Sequence, residues 1–192
     1  MVRLTITGCA LLAMVGTAQG AMVNIMGDTN TSIENTGASF TGTLNYSFVS
    51  GTSGTLVVTL NNTSASSVGG YLTGFVFNIA SADSGASATL SSATNTNFLD
   101  TGTESASPFG TFDAGAALGA NWTGGGSPNG GLLFGTGGTF TFTVSASDAS
   151  TLSSVDFLGG GDDFAVRFKG LANGGSDKIL GNEVNVVPLP AG

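Results

Sequence analysis

The chain has 192 residues, enough for one domain with a sizeable core, and 41% of them are hydrophobic. Charged residues make up only 8%, against roughly 25% in an ordinary globular domain, and the formal net charge is −8. Histidine is absent and Cys9 is the single cysteine, which excludes internal disulfides, zinc sites and Ser-His-Asp or Cys-His catalysis. The basic residues are Arg3, Arg167, Lys169 and Lys178. They are too few to form the basic stripe that nucleic acid requires, so nucleic acid is not an expected partner.

Residues 1–20 have the three parts of a secretory signal peptide. Arg3 supplies the positive charge, residues 4–15 are largely apolar, and Ala18 and Gly20 are the small residues before a cleavage site. We expect cleavage before Ala21 and a mature chain that is secreted or held at the cell surface. Apart from this segment, the sequence predicts no membrane helix.

An antiparallel hairpin is the first element predicted after the signal peptide. Apolar residues alternate with polar ones through 39–48 and again through 56–60. The Gly- and Ser-containing segment 50–54 lies between the two runs and is typical of a turn. Each strand therefore has one apolar face that must be buried.

A third strand is predicted over residues 71–80. Alternation places Phe75 and Phe77 on one face and Leu72 and Val76 on the other. Because both faces carry apolar side chains, we expect this strand to lie in the centre of a sheet.

Further short runs with strand character lie at residues 86–90, 97–99, 109–114, 132–134, 139–144, 164–168 and 184–187. The Gly-rich segment 115–131 is predicted to be a long loop. Residues 148–158 are predicted to form one short helix, with Ser147 or Asp148 as its N-cap.

The pattern as a whole predicts an all-β fold. Strands with one apolar face need a partner sheet, so we expect an antiparallel two-sheet β-sandwich, jelly-roll-like, with at most that one short helix. The sandwich is expected to be a single domain over residues 21–186. Arg167 and Lys169 alternate with apolar residues of one strand and are expected to face solvent.

Asp100 is the candidate catalytic residue for an acid hydrolase. It lies in the sequence Phe-Leu-Asp-Thr-Gly-Thr, which matches the local pattern around the carboxylates of aspartic proteases. That reaction needs two aspartates that share a proton, and the partial match at Asp83 is too near in sequence to build a second lobe. The alternative is an ordinary turn after a strand, and this interpretation is favoured.

Calcium is the one cofactor that the sequence brings forward. Three consecutive glycines precede Asp162 and Asp163, and Asp177 follows in the next turn-rich segment. Carboxylates and loop carbonyl oxygens are the ligands that calcium prefers. The alternative is a solvated turn, which is favoured because Gly and Asp are ordinary turn formers.

Trp122 is the candidate residue for a polysaccharide site. Aromatic rings stack on sugars, and the only tryptophan of the chain lies in the predicted loop 115–131. The alternative role for Trp122 is to anchor the core or a loop.

A short motif stands at the end of the chain, and its residues are Val187, Pro188, Leu189, Pro190 and Ala191. It resembles the head of the VPLPA variant of the PEP-CTERM sorting signal. In that family, bacterial proteins carry a signal peptide, a variable extracellular domain and a C-terminal signal that an exosortase processes. Residues 164–178 also look like the strand and turn that often precede this tail. The apolar helix and basic cluster of the family signal do not follow Gly192, so we expect a tail truncated after the motif; the alternative is a Pro-stiffened tail.

The resemblance implies a non-catalytic secreted or cell-surface protein of the exopolysaccharide or biofilm matrix. Its implied partners are exosortase-type sorting machinery and polysaccharide. The first alternative is a secreted carbohydrate-binding module or adhesin. A fibre-forming subunit is also open because few lysines protect the strand edges, and an acid hydrolase that uses Asp100 is the least favoured hypothesis.

Overall fold

The computed structural model describes residues 21–123, 127–159 and 163–184, so the expected signal peptide and sorting motif lie outside it. In spatial order, the strands of the first sheet are β14 (Asn182–Glu183), β1 (Val23–Gly27), β2 (Phe40–Ser50), β3 (Ser53–Asn62), β11 (Gly137–Ser145) and β5 (Ser87–Ala93). The strands of the second sheet are β13 (Ser176–Leu180), β12 (Phe164–Leu171), β4 (Gly69–Phe77), β9 (Ala114–Leu118) and β6 (Phe98–Asp100), with β10 (Leu132–Leu133) beside β4. A separate small hairpin pairs β7 (Glu104–Ser105) with β8 (Thr111–Phe112).

The predicted all-β, antiparallel two-sheet sandwich is confirmed. The predicted hairpin corresponds to β2 and β3, which pair in antiparallel register. Gly51 in its turn has a φ of 55°, a left-handed conformation that glycine adopts without a Cβ clash. The last strand is Asn182–Glu183, and Val184, the one described residue of the strand predicted over 184–187, lies just after it. Residues 185–187 lie outside the described ranges.

Phenylalanine side chains from both sheets build the core. The ring centroids of Phe75 in β4 and Phe140 in β11 are 4.8 Å apart, and those of Phe77 and Phe142 are 5.1 Å apart. Both pairs meet edge to face, an arrangement that contributes about 0.5–1.5 kcal/mol beyond the burial of their area. These contacts join the two sheets, which is the burial that the one-sided strands required.

A bulge in β4 changes which face one predicted side chain occupies. The register between β4 and β12 shifts so that Thr73 has no direct partner. An extra residue of this kind reverses the alternation on its two sides. Leu72 therefore joins Phe75 in the main core, whereas Val76 packs on the outer side of the sheet; the prediction that Leu72 and Val76 share a face is wrong.

The predicted helix over 148–158 is shorter and begins later. The structure has a 3₁₀ helix over Ser154–Leu158 with Ser153 at its N-cap. The Asp148 carboxylate does not cap this helix. It accepts hydrogen bonds from the hydroxyl of Ser81 and the backbone amide of Ala82. No helix in the described ranges has the length and apolar character to cross a membrane.

The predicted loop 115–131 contains most of strand β9, which lies between β4 and β6. Its sequence, Ala-Gly-Ala-Ala-Leu, lacks the β-branched and aromatic residues that mark strands, so the signal was absent. The small residues are needed for packing. A Cβ at Gly115 would lie 2.3 Å from the carbonyl oxygen of Phe75.

Candidate functional site

Three basic side chains lie together on the outer face of the second sheet. Arg167 and Lys169 are alternate residues of β12, and Arg167 is directly opposite Lys178 of β13. Residues in these relations share one face of a sheet. They are the basic residues of the described ranges, so a chain with net charge −8 gathers its cations there in one place.

A depression of about 410 Å³ opens beside Arg167 and Lys178. Its other walls come from the β1–β2 connection and the β7–β8 hairpin, through Ile33, Ser105, Ser107 and Pro108. Ile33 is 51% exposed, so the depression has an apolar wall open to solvent as well as a cationic one. A volume of this size is within the range of small-molecule sites.

Trp122 lies beneath this depression and is only 2% exposed. Its carbonyl oxygen accepts a hydrogen bond from Nη1 of Arg167 at 2.6 Å. The Nε1 of Trp122 and the Nε of Arg167 are buried and have no hydrogen-bond partner among the described residues. A buried donor without a partner costs about 1–3 kcal/mol, so these two nitrogens mark a place where water or a ligand group is expected.

The burial of Trp122 corrects its expected role. Its ring packs in a small cluster with Val76, Phe112 and Ala165 on the outer side of the sheet. Trp122 therefore offers no free ring face on which a sugar can stack. The structure gives it the alternative role, an anchor that holds a loop over the sheet.

Arg167 and Lys169 are partly desolvated positive charges. Burial lowers the pKa of Arg167, and the charge of Glu34 acts in the opposite direction. The pKa of Lys169 is lowered by burial and, to a smaller extent, by the charge of Arg167, while its Nζ donates to the carbonyl oxygen of Thr123. Lys178 forms an ion pair with Glu34. The Glu34 carboxylate therefore acts on both Arg167 and Lys178.

Asp177 stands on the other face of β13, and both of its oxygens are fully engaged by neighbours. Ser32 Oγ donates to them at 2.7 and 2.8 Å, and Thr36 Oγ1 donates at 2.5 Å. The amides of Glu34 and Lys178 add bonds of 3.3 and 2.8 Å. Burial by itself would raise the pKa of Asp177, but the hydrogen bonds, chiefly from Thr36 and Ser32, hold it below its usual value. The carboxylate fastens the 31–36 loop to β13.

The two described candidate calcium ligands, Asp163 and Asp177, do not come together. Asp163 immediately precedes β12, whereas Asp177 pairs with Phe168 five positions further along, a separation of about 16 Å in an extended strand. The Asp163 carboxylate accepts instead from Nδ2 of Asn78 at 2.9 Å. Asp162 lies outside the described residues, and no cluster of three metal-binding side chains occurs in the described ranges. Asp163 and Asp177 are therefore not grouped in the structure, because one precedes β12 and the other lies on β13 opposite the middle of β12.

Asp100 serves as a hydrogen-bond acceptor at the end of β6. Its oxygens accept from the amides of Leu90 at 2.6 Å and Gly102 at 3.1 Å. The depression beside it has a volume of about 280 Å³, and Asp100 is the only acid among its described lining residues. Asp83, the partial match to the protease pattern, accepts from the amide of Ser147 at 2.6 Å. Each of these two aspartates stabilises a loop in the structure.

The cationic depression was not found from the sequence, because its walls come from five separate segments of the chain. The alternation that placed Arg167 and Lys169 on one strand face was the only signal. The sorting-motif residues 187–191 lie outside the described ranges. Comparisons with protein families, with curated proteins and with solved structures find no match to this chain.

Proposed function

We propose that this chain is a non-catalytic protein of a bacterial cell surface or extracellular matrix, that a VPLPA-type signal sorts it, and that polysaccharide is its ligand. The proposal is carried by three features that follow one another along the chain: a signal-peptide pattern at 1–20, a β-sandwich with few charged residues, and the motif at 187–191. Low charge with many Ser, Thr, Asn and Gly residues is typical of extracellular β-proteins.

The state of the carboxylates supports a role without catalysis. Asp83, Asp100 and Asp177 all accept hydrogen bonds from backbone amides that hold loops in place. A carboxylate that general acid or base chemistry uses must be free to exchange a proton with substrate. Engagement of these three aspartates in the fold favours a binding or structural role.

Two measurements test the proposal separately. Deletion of the gene should change the composition or cohesion of the extracellular matrix, and an unchanged matrix would contradict the matrix function. For sorting, the full chain with both Pro188→Ala and Pro190→Ala should accumulate unprocessed in the cell fraction, whereas Val186→Ala should be sorted like the wild type. Normal sorting of the double proline variant would contradict the sorting part.

A secreted carbohydrate-binding module is the second candidate, and the cationic depression favours it. Such a module binds polysaccharide without being anchored by exosortase-type machinery. The two candidates therefore share a ligand and differ in where the protein is found. Release of the wild-type protein into the medium, with sorting unaffected by the proline substitutions, would favour the module.

A further inference from the structure

We propose that the depression beside Arg167 and Lys178 binds the carboxylate of an acidic polysaccharide, with a uronic acid ring as the bound unit. This inference rests on the proposed extracellular function, which names polysaccharide as the ligand, and it specifies the chemical class and the site. Nothing in it depends on how the protein is sorted.

Charge is the first argument. Arg167 and Lys178 are directly opposed on neighbouring strands, a placement of like charges that destabilises a sheet unless something lies between them. Glu34 forms an ion pair with Lys178 and its charge also acts on Arg167, so one carboxylate is shared by two cations. Arg167 makes its hydrogen bond to a neutral carbonyl oxygen, and the pair therefore keeps positive charge. A ligand carboxylate between the two side chains would neutralise that charge.

The net charge of the chain narrows the class of anion. With −8 overall, the protein repels a densely charged polymer such as nucleic acid over most of its surface. Salt screens charges beyond about 10 Å, so the depression still attracts an anionic group that reaches it. A polysaccharide with one carboxylate on each sugar ring carries its charge more sparsely, which suits a small cationic site on an acidic protein.

The walls of the depression match the remaining parts of a uronic acid ring. Ile33, half exposed, and Pro108 offer apolar surface to the C–H face of a sugar, and Ser105 and Ser107 offer hydroxyl groups to its hydroxyls. The guanidinium of Arg167 has the fork geometry that recognises carboxylates. A water held between the bound sugar and the buried donors of the depression would give both of them a partner.

Protection of the sheet edge does not account for this arrangement. Lysines on an edge strand prevent edge-to-edge association, and Lys178 on β13 fits that role. Arg167, however, lies on β12, which is paired on both sides, and it is partly desolvated rather than extended into solvent. Its hydrogen bond to the carbonyl oxygen of Trp122 holds a loop, but that bond uses Nη1 and leaves the buried Nε without a partner among the described residues.

Isothermal titration calorimetry on protein produced from the full chain tests the site. The probes are an oligogalacturonate of defined length and the same oligomer with its carboxyl groups methyl-esterified. We expect the acid form to bind and the ester to bind at least about tenfold more weakly, because a charge-assisted hydrogen bond is lost. Absence of binding by the acid form, or equal binding of the ester, would overturn the proposal whatever the sorting experiments show.

Charge-matched variants locate the site. Arg167→Gln and Lys178→Gln should each weaken binding about tenfold or more. Lys169→Gln removes the same charge but borders a separate depression on the other side of Arg167, so it should change the affinity by less than about threefold. Equal weakening by all three variants would show a diffuse charge effect and overturn the site.

Stability and small-anion controls complete the test. Lys178→Gln loses only a partly exposed ion pair, so its Tm should be close to that of the wild type. If Arg167→Gln folds poorly, the binding measured for Lys178→Gln still tests the site. Sulfate and free galacturonate are titrated in parallel. Stronger binding of the oligomer supports a polysaccharide ligand, and equal affinity for sulfate would overturn it.

Discussion

Replacing Asp177 by asparagine tests whether the buried carboxylate fastens the 31–36 loop to strand β13. Asp177 is 0% exposed. Its carboxylate only accepts hydrogen bonds, and the donors are Ser32, Thr36, Glu34 and Lys178. An asparagine has nearly the same shape but puts a donor NH₂ group in place of one oxygen. The hydroxyls of Ser32 and Thr36 can turn to accept from that group. Backbone amides bond to both oxygens and can only donate, so at least one amide must face the NH₂ group.

The expected loss follows from the number of bonds disturbed. A hydrogen bond to a charged group contributes about 1.5–3 kcal/mol and one between neutral groups about 0.5–1.5 kcal/mol. Every bond to this side chain therefore weakens in Asp177→Asn, and at least one backbone amide loses its acceptor. We expect the free energy of unfolding to fall by about 3–5 kcal/mol. For a chain of this size, that corresponds to a fall in Tm of about 6 to 20 °C.

Thermal unfolding followed by circular dichroism measures the effect, with Asp28→Asn as the control. Asp28 accepts a hydrogen bond from the amide of Asn30, a local turn in which asparagine serves equally well, so its Tm should shift by no more than about 2 °C. An equal shift in the two variants, or a wild-type Tm for Asp177→Asn, would refute the fastening role.

The pH dependence of this difference has a defined sign. The pKa of Asp177 is lower in the folded protein than in the unfolded chain, so its contribution is complete above the unfolded value of about 3.9. The contribution is lost as the pH falls through the lower folded pKa. The Tm difference between wild type and Asp177→Asn should therefore be constant from pH 5 to 7, a range above that value, and shrink below about pH 3.9. A difference that grows on acidification would contradict the assignment.

Three further predictions concern the fold and the calcium hypothesis. Ser154→Ala should lower the unfolding free energy by about 1–3 kcal/mol in urea titrations, because the buried amide of Tyr46 loses its acceptor, and an unchanged midpoint would contradict this. Gly115→Ala should strongly reduce or abolish the folded protein seen by size-exclusion chromatography, because its Cβ would lie 2.3 Å from a backbone oxygen. The control Gly51→Ala has open space around it and should lower the free energy of unfolding by only about 1 kcal/mol. Millimolar calcium or its removal by chelator should leave the Tm unchanged, because the described candidate ligands are separated; a calcium-dependent rise would restore the calcium hypothesis.

Much of the sandwich could be predicted because strand alternation is a local property. Runs such as 39–48, 56–60 and 139–144 carry a side-chain period of two that needs no knowledge of the partner strand. Strand β9 was not predicted because its residues are small, as close packing against β4 requires. That requirement exists only once the sheet has formed. The bulge at Thr73 was not predicted for a similar reason, because a bulge is defined by the pairing with the neighbouring strand.

The candidate site was less predictable than the fold. The sequence placed Arg167 and Lys169 on one face but gave no sign that Lys178 would lie opposite Arg167, because the register of β12 with β13 is a tertiary property. The sequence also could not say whether Trp122 is exposed or buried, because its burial depends on how its loop packs over the second sheet.

The sequence by itself determined the fold class, because alternating apolar residues leave each strand with a face that only a second sheet can bury. The patterns that predict a signal peptide and a sorting motif also belong to the sequence, because they are read from the order of residues without the fold. The tertiary structure alone decided which polar groups meet. Aspartates that looked like ligands or catalysts became acceptors for distant loops, and cations from two strands came to line one depression. Antiparallel pairing brings residues far apart in the chain into contact, and the energy of a charge depends on those neighbours rather than on its own sequence.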